Sequence, residues 1–189
     1  MTLCVLGITA CQDDLIDNPS TGGIDINKPV KVDLKFGIPK SMEVEVSRAD
    51  NSNSNMRNVR LYVFSGNTLL STQEVSITTN GTETNNGRSY TVSATLYVGT
   101  QTVYAIGNTS TSYWDSNTID VIDEAAQEGK DELEQVLYTL NSTVSDNNFP
   151  NFVTGHMPLS GFGDVTVSND GTTDDVVRLG RLLAQIKFN

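Results

Sequence analysis

His156 is the only histidine of the chain, and Ser160 follows it closely. A serine nucleophile with an imidazole base would need the strained strand-to-helix elbow of a GxSxG motif, and the residues around Ser160 do not supply one. The pair therefore reads as ordinary loop and strand residues. Asp170 and Gly171, with Asp174 and Asp175, offer oxygen ligands for a hard cation. They lack the closing glutamate of an EF-hand loop, so the expectation is a turn. Asp131, Glu132 and Glu134 form a second acidic group, better explained as a solvated helix face than as a cation site. Cys4 and Cys11 both lie in the first eleven residues, which leaves the body of the chain without a thiol, a disulfide or a Cys/His zinc site. There is no Gly-rich phosphate loop and no paired set of carboxylates. The sequence is that of a non-enzyme, with no cofactor and no metal expected.

The chemistry that the spacing does suggest is done to the chain. Residues 28–49 read KPVKVDLKFGIPKSMEVEVSRA. Val32, Leu34, Phe36 and Ile38 alternate with Lys31, Asp33 and Lys35, the period of a half-buried β-strand. Pro39 closes the strand, because proline cannot donate to a ladder. Arg48 and Ala49 then open a polar run to residue 56 that has almost nothing to bury. A core strand tethered through an exposed basic residue to such a run could be cut off without the rest of the chain being touched.

The elements that must hold such a strand are short and polar on one side. Hydrophobic residues make up 37% of the 189, and Ser, Thr, Asn and Gly are plentiful, as in β-proteins with many turns. A formal net charge of −11 argues against nucleic acid and an anionic membrane surface as partners, since both need a basic patch. After residue 56, Val59, Leu61 and Val63 mark one strand, and Ser65, Gly66 and Asn67 a turn. Residues 68–77 read as the next strand. Asn80-Gly81 and Asn85-Asn86-Gly87 are turn chemistry. Tyr90, Val92, Ala94 and Leu96 alternate, Gly99 breaks the pattern, and residues 102–106 read as a further strand. Leu133, Val136, Leu137 and Leu140 instead recur at helical spacing over residues 131–140, and residues 118–126 suggest another helical turn. Residues 164–167 form a short strand, and residues 176–188 a final one with apolar residues on both faces, as for a strand covered on both sides.

Residues 3–10 (LCVLGITA) are apolar but too short to span a bilayer, and resemble the end of a secretory h-region. With Cys11 they resemble the lipobox of bacterial lipoproteins, which implies cleavage before Cys11, acylation of its thiol, and a solvated tether through Asp13, Asp14 and Asp17. Three further passages together resemble the N-terminal domain of fimbrillins, the subunits of type V pili. These are VRLYVFSG (59–66), YVGTQTVYAIGNT (97–109), and the pair FVTGHM (152–157) with RLGRLLAQIKF (178–188).

The resemblance implies an all-β fold: a seven-stranded Greek-key (transthyretin-like) β-sandwich with a short helical crossover. It implies a signal peptide at 1–11, a propeptide with the removable strand at 12–48, and a sandwich domain at 49–189. It further implies export to the outer membrane through a lipid anchor on Cys11, and scission by an Arg-specific protease at Arg48–Ala49 rather than at Arg57. Strand exchange with other fimbrial subunits would follow, in a cell-surface fimbrium serving adhesion. Val32, Leu34, Phe36 and Ile38 would be the side chains of the strand that leaves. The family's second β-domain is not in these 189 residues. The chain is thus expected to be either a piece of an extending subunit or an anchor or tip subunit that accepts a strand and gives none. The alternative of another class is a monomeric glycan-binding lipoprotein, with a groove lined by Tyr62, Tyr97, Tyr104, Tyr113 or Trp114.

Overall fold

The structure is a computed structural model and describes residues 25–39, 55–109, 116–142 and 158–181. In chain order the elements are β1 (Asp25–Pro39), β2 (Asn58–Ser65), β3 (Thr68–Ser76), β4 (Thr82–Thr84), β5 (Gly87–Gly107), α1 (Ser116–Glu128), α2 (Lys130–Ser142), β6 (Leu159–Val167), β7 (Val176–Arg178) and β8 (Gly180–Arg181). The expected class holds: an all-β sandwich whose helical crossover joins β5 to β6. The described residues contain eight strands, and the crossover between β5 and β6 contains a pair of helices.

Strand β5 organises both layers. Its first half pairs antiparallel with β1 and, at its start, with β4. Its second half pairs antiparallel with β2 on one side and β6 on the other. The handover falls at Gly99, whose φ of 110° is open to glycine and strained for other residues. The sequence suggests that Gly99 ends a strand; it bends one instead. One sheet is therefore β4, β5, β1 and β7, and the other is β3, β2, β5, β6 and β8.

Alternating residues of both sheets meet in the interior. Val32, Leu34, Phe36 and Ile38 of β1, Tyr90, Val92, Ala94 and Leu96 of β5, and Val59, Leu61 and Val63 of β2 share one core with Val165 and Val167 of β6. On β2 the opposite face is buried too. Tyr62 and Phe64 pack with Tyr104 and Ile106 of β5 beneath Ile122 and Ala126 of α1 and Leu133 of α2. Only the inward face of β2 is evident from its sequence, because a period of two cannot say what covers the other side.

Polar contacts fix the helices as well. Asn67, in the β2–β3 turn, accepts from the Asp131 amide at 2.9 Å through its side chain and from the Lys130 amide at 3.2 Å through its carbonyl, capping the start of α2. Arg60 of β2 grips Asp123 of α1 with two nitrogens, at 3.0 and 2.5 Å, and the Tyr62 hydroxyl donates to the same carboxylate at 2.7 Å. Burial, then the bond to Asp123, raises the Tyr62 phenol well above its ordinary value. Tyr104 is raised likewise by burial and by its hydrogen bond to Glu134 of α2.

The final described stretch crosses between the layers. β7 pairs with β1 in one sheet and β8 with β6 in the other, so the single strand expected over residues 176–188 is broken at Leu179. Residues 182–188 of that expectation lie outside the described residues. The crossing passes over Gly161, where a Cβ would sit 2.0 Å from the Arg178 carbonyl oxygen.

Two outcomes follow. Gly161→Ala leaves the crossing no room and is expected to destabilise the domain by roughly 3 kcal/mol, read from urea unfolding. Because Tyr62 and Tyr104 titrate higher when folded, the unfolded chain releases their protons first as pH rises. Stability from these phenols is then complete below about pH 10 and falls above it. Urea midpoints between pH 9 and 11 should decline, and decline less in Tyr62→Phe.

Candidate functional site

The strand singled out by its alternation lies inside its sheet, between β5 and β7. Val32, Leu34, Phe36 and Ile38 are each no more than 2% exposed. Lys31 and Asp33 face outward, and the Lys35–Asp174 ion pair, 3.7 Å and open to solvent, adds little. Against β5 the register is continuous from Pro29↔Tyr97 to Pro39↔Gly87, with a bulge between Asp25 and Pro29. Against β7 it is parallel and covers only Lys35 to Gly37, where the Gly37 carbonyl also accepts from the Leu179 amide at 2.9 Å. β1 is thus held along one long edge and one short one, and none of its partners is its neighbour in sequence.

Withdrawing β1 would open a slot lined by the residues it now covers. Tyr90, Val92, Ala94 and Leu96 stand directly across from Phe36, Leu34, Val32 and Val30. Exposing four core side chains costs about 6–12 kcal/mol at roughly 1.5–3 kcal/mol each, against a whole-domain stability of about 5–15 kcal/mol. An empty slot therefore costs an amount comparable to the stability of the whole domain.

Just before β2 the chain is clamped. Met56 is fully buried, and its amide donates to the Tyr90 hydroxyl at 2.9 Å. The Arg57 amide donates to Asn108 Oδ1 at 2.8 Å, and its carbonyl accepts from the Ile77 amide at 2.6 Å. Asn108 Nδ2 donates to the Asn55 carbonyl at 3.1 Å, and Arg88 bonds the Asn55 side chain. Asn108 itself takes φ 61°, a left-handed conformation that asparagine tolerates better than most residues. Thr109 completes the clamp: its amide donates to Asn58 Oδ1 at 3.0 Å, and its hydroxyl accepts from Asn58 Nδ2 at 2.5 Å. This role of Asn108 is a pairing across the fold that local sequence does not signal. Its sole cue is an Asn-Thr turn after an alternating strand.

The other sequence candidates separate. Cys11, Arg48, Ala49, His156, Tyr113 and Trp114 lie outside the described residues. Ser160 sits in the β6 ladder, opposite Ile106 and Gly180. Asp170 accepts from the Thr172 amide at 3.1 Å within its own turn, Asp174 pairs with Lys35, and Asp175 accepts from the Thr166 amide at 2.7 Å, so the three carboxylates have separate tasks. Of the aromatic residues expected to line a glycan groove, Tyr62 and Tyr104 are buried against the helices, and Tyr97 packs on the core between the sheets.

A sequence model of the family described as "Fimbrillin-A associated anchor proteins Mfa1 and Mfa2" matches residues 25–189. The chain belongs to this family. The match begins with β1, so the strand in the slot is part of the family's own pattern. Among solved structures, the chain is similar to the C-terminally truncated tip fimbrial protein Mfa3 of Porphyromonas gingivalis, with 15% identity and a TM-score of 0.44 over 81% of this chain and 48% of that one. It is also similar to a Bacteroides eggerthii protein described as a cell adhesion protein, with 15% identity and a TM-score of 0.36 over 80% and 40% of the two chains. The chain thus spans half or less of either structure's length. No curated protein matches the sequence.

The clamp predicts a graded pair of variants. Asn108→Ala strands buried partners at Asn55 and Arg57 and strains the backbone, for a loss of about 2–4 kcal/mol. Asn108→Gly keeps the backbone conformation and loses less. Chemical denaturation of the two variants beside the wild type measures the order.

Proposed function

We propose that this protein is a fimbria-associated subunit of the cell surface that serves adhesion and joins its neighbours by strand exchange at the β1 slot. The observation that carries this reading is a strand buried along its whole alternating face yet paired only with distant parts of the chain. Membership of the anchor-protein family supports the fimbrial setting, and favours an anchor or tip subunit over an extending one.

In this proposal Cys11 is acylated and tethers the precursor to the outer membrane. Val32, Leu34, Phe36 and Ile38 keep the slot filled during export. An Arg-specific protease then cuts between Arg48 and Ala49, separating β1 from the rest of the domain covalently. An extended strand from a neighbouring subunit replaces β1, with main-chain bonds giving affinity and alternate side chains filling the pockets. The clamp bears on which arginine is cut. Arg57 has both its backbone groups engaged beside a buried Met56, whereas a protease needs free, extended backbone. Arg48 precedes the clamp by several polar residues and carries no such argument against it.

The role is structural rather than enzymatic. Monomeric glycan binding is the weaker reading, because the described tyrosines do not form one platform.

Limited digestion of the purified chain with an Arg-specific protease tests the scheme. The expected product begins at Ala49, Arg48→Ala abolishes it, and Arg57→Ala leaves it unchanged. A first cut after Arg57, or after Arg88 within the sheet, would contradict the proposal.

A further inference from the structure

The half of β5 that pairs with β1 has a second edge, and two glutamines sit on it. Gln73 of β3 reaches across from the opposite sheet. Its Nε2 donates to the Thr95 carbonyl at 2.6 Å, and its Oε1 accepts from the Thr95 amide at 2.8 Å. Gln101, beyond the bend at Gly99, does the same to Tyr97: Nε2 to its carbonyl at 2.6 Å and Oε1 from its amide at 3.1 Å. Each side-chain amide thus makes the two bonds that a residue of an adjacent strand would make. Gln73 is held in place by a further bond to the Ser71 hydroxyl at 3.2 Å, and Gln101 is 2% exposed.

Backbone geometry extends the observation. In a strand the N–H and C=O of alternate residues point to the same edge. Those of Thr91 and Ser93 therefore point the same way as those of Thr95 and Tyr97, away from β1. Among the described residues, β4 covers this edge as far as Ser89. Between Arg88 and the end of β5 at Gly107 there is no charged residue and no proline, and Thr, Val and Tyr are the most frequent residues. Natural sheets blunt their edges with charge, proline or bulges, and an uncharged β-rich edge without them is a template for pairing.

We infer that Gln73 and Gln101 are plugs that close this edge, and that without them it pairs antiparallel with the same edge of a second copy of the chain. The pairing is isologous about a two-fold axis, because each copy presents the same uncharged residues 91–97. The plugs leave β1 as the place where this sheet exchanges strands. The inference does not depend on that exchange taking place.

Amide hydrogen exchange and light scattering on the full chain test it. In the wild type, the Thr95 and Tyr97 amides should exchange roughly tenfold more slowly than those of Thr91 and Ser93, and the protein should not associate through this edge. The double variant Gln73→Ala/Gln101→Ala should associate with rising concentration, with the Thr91 and Ser93 amides becoming protected in the associated form. Gln73→Glu, at the half-buried position, should not associate, because its charge repels a second edge. Should the alanine pair fail to fold, the wild-type pattern and Gln73→Ala alone, which should associate more weakly, decide. The inference is overturned if Ser93 exchanges as slowly as Thr95 in the wild type, if the folded alanine variant stays unassociated, or if Gln73→Glu associates.

Discussion

The ladder between β1 and β5 is the constraint on which the rest depends. It joins residues far apart in sequence, is continuous from Pro29 to Pro39, and turns the alternating face of β1 into half of the core between the sheets. A hairpin strand cannot leave without opening its turn. A strand whose partners are all distant can be cut free at one point and still stay where it is, held by backbone bonds and buried side chains alone. The energy scale sets the terms of exchange: the burial at stake is comparable to the stability of a domain, so an incoming strand must be nearly as apolar and regular as the outgoing one.

Three features would confine such an exchange to one slot. The bend at Gly99 lets β5 serve both sheets, so the β2, β3 and β6 side keeps its own ladders whatever occupies the slot. The helices cover the outer face of that second sheet, tied down by Arg60, Tyr62 and Asp123. The Asn108 clamp fixes the chain from Asn55 onward, at the entry to β2. Face and chain entry are secured by polar contacts of particular side chains in addition to apolar burial.

Much of this was legible in the sequence, and the remainder shares a cause. The face of β1 carrying Val32, Leu34, Phe36 and Ile38 is evident because a buried face with a solvated back enforces a period of two. The helix carrying Leu133, Val136 and Leu137 shows equally well through its period. The bend at Gly99 has no local signature, because a glycine that ends a strand and one that bends it look the same in sequence. The second buried face of β2, the cap from Asn67, the clamp at Asn108 and the glutamines that bond the β5 edge are hidden for another reason. Each depends on a partner brought close only by the fold, and one asparagine or glutamine among many polar residues leaves no periodic trace.

The central claim is that the β1 slot accepts a strand in trans, and incorporation of a labelled strand measures it most directly. The chain is cut at Arg48, then incubated with an isotopically labelled peptide of residues 25–39, and the complex is weighed by native mass spectrometry. The labelled peptide is expected to replace resident β1 mole for mole while residues 49–189 stay folded, and a peptide with Leu34→Asp and Phe36→Asp is not expected to enter. Retention of the original strand with no uptake of label under conditions that leave the domain folded, or equal uptake of both peptides, would contradict it.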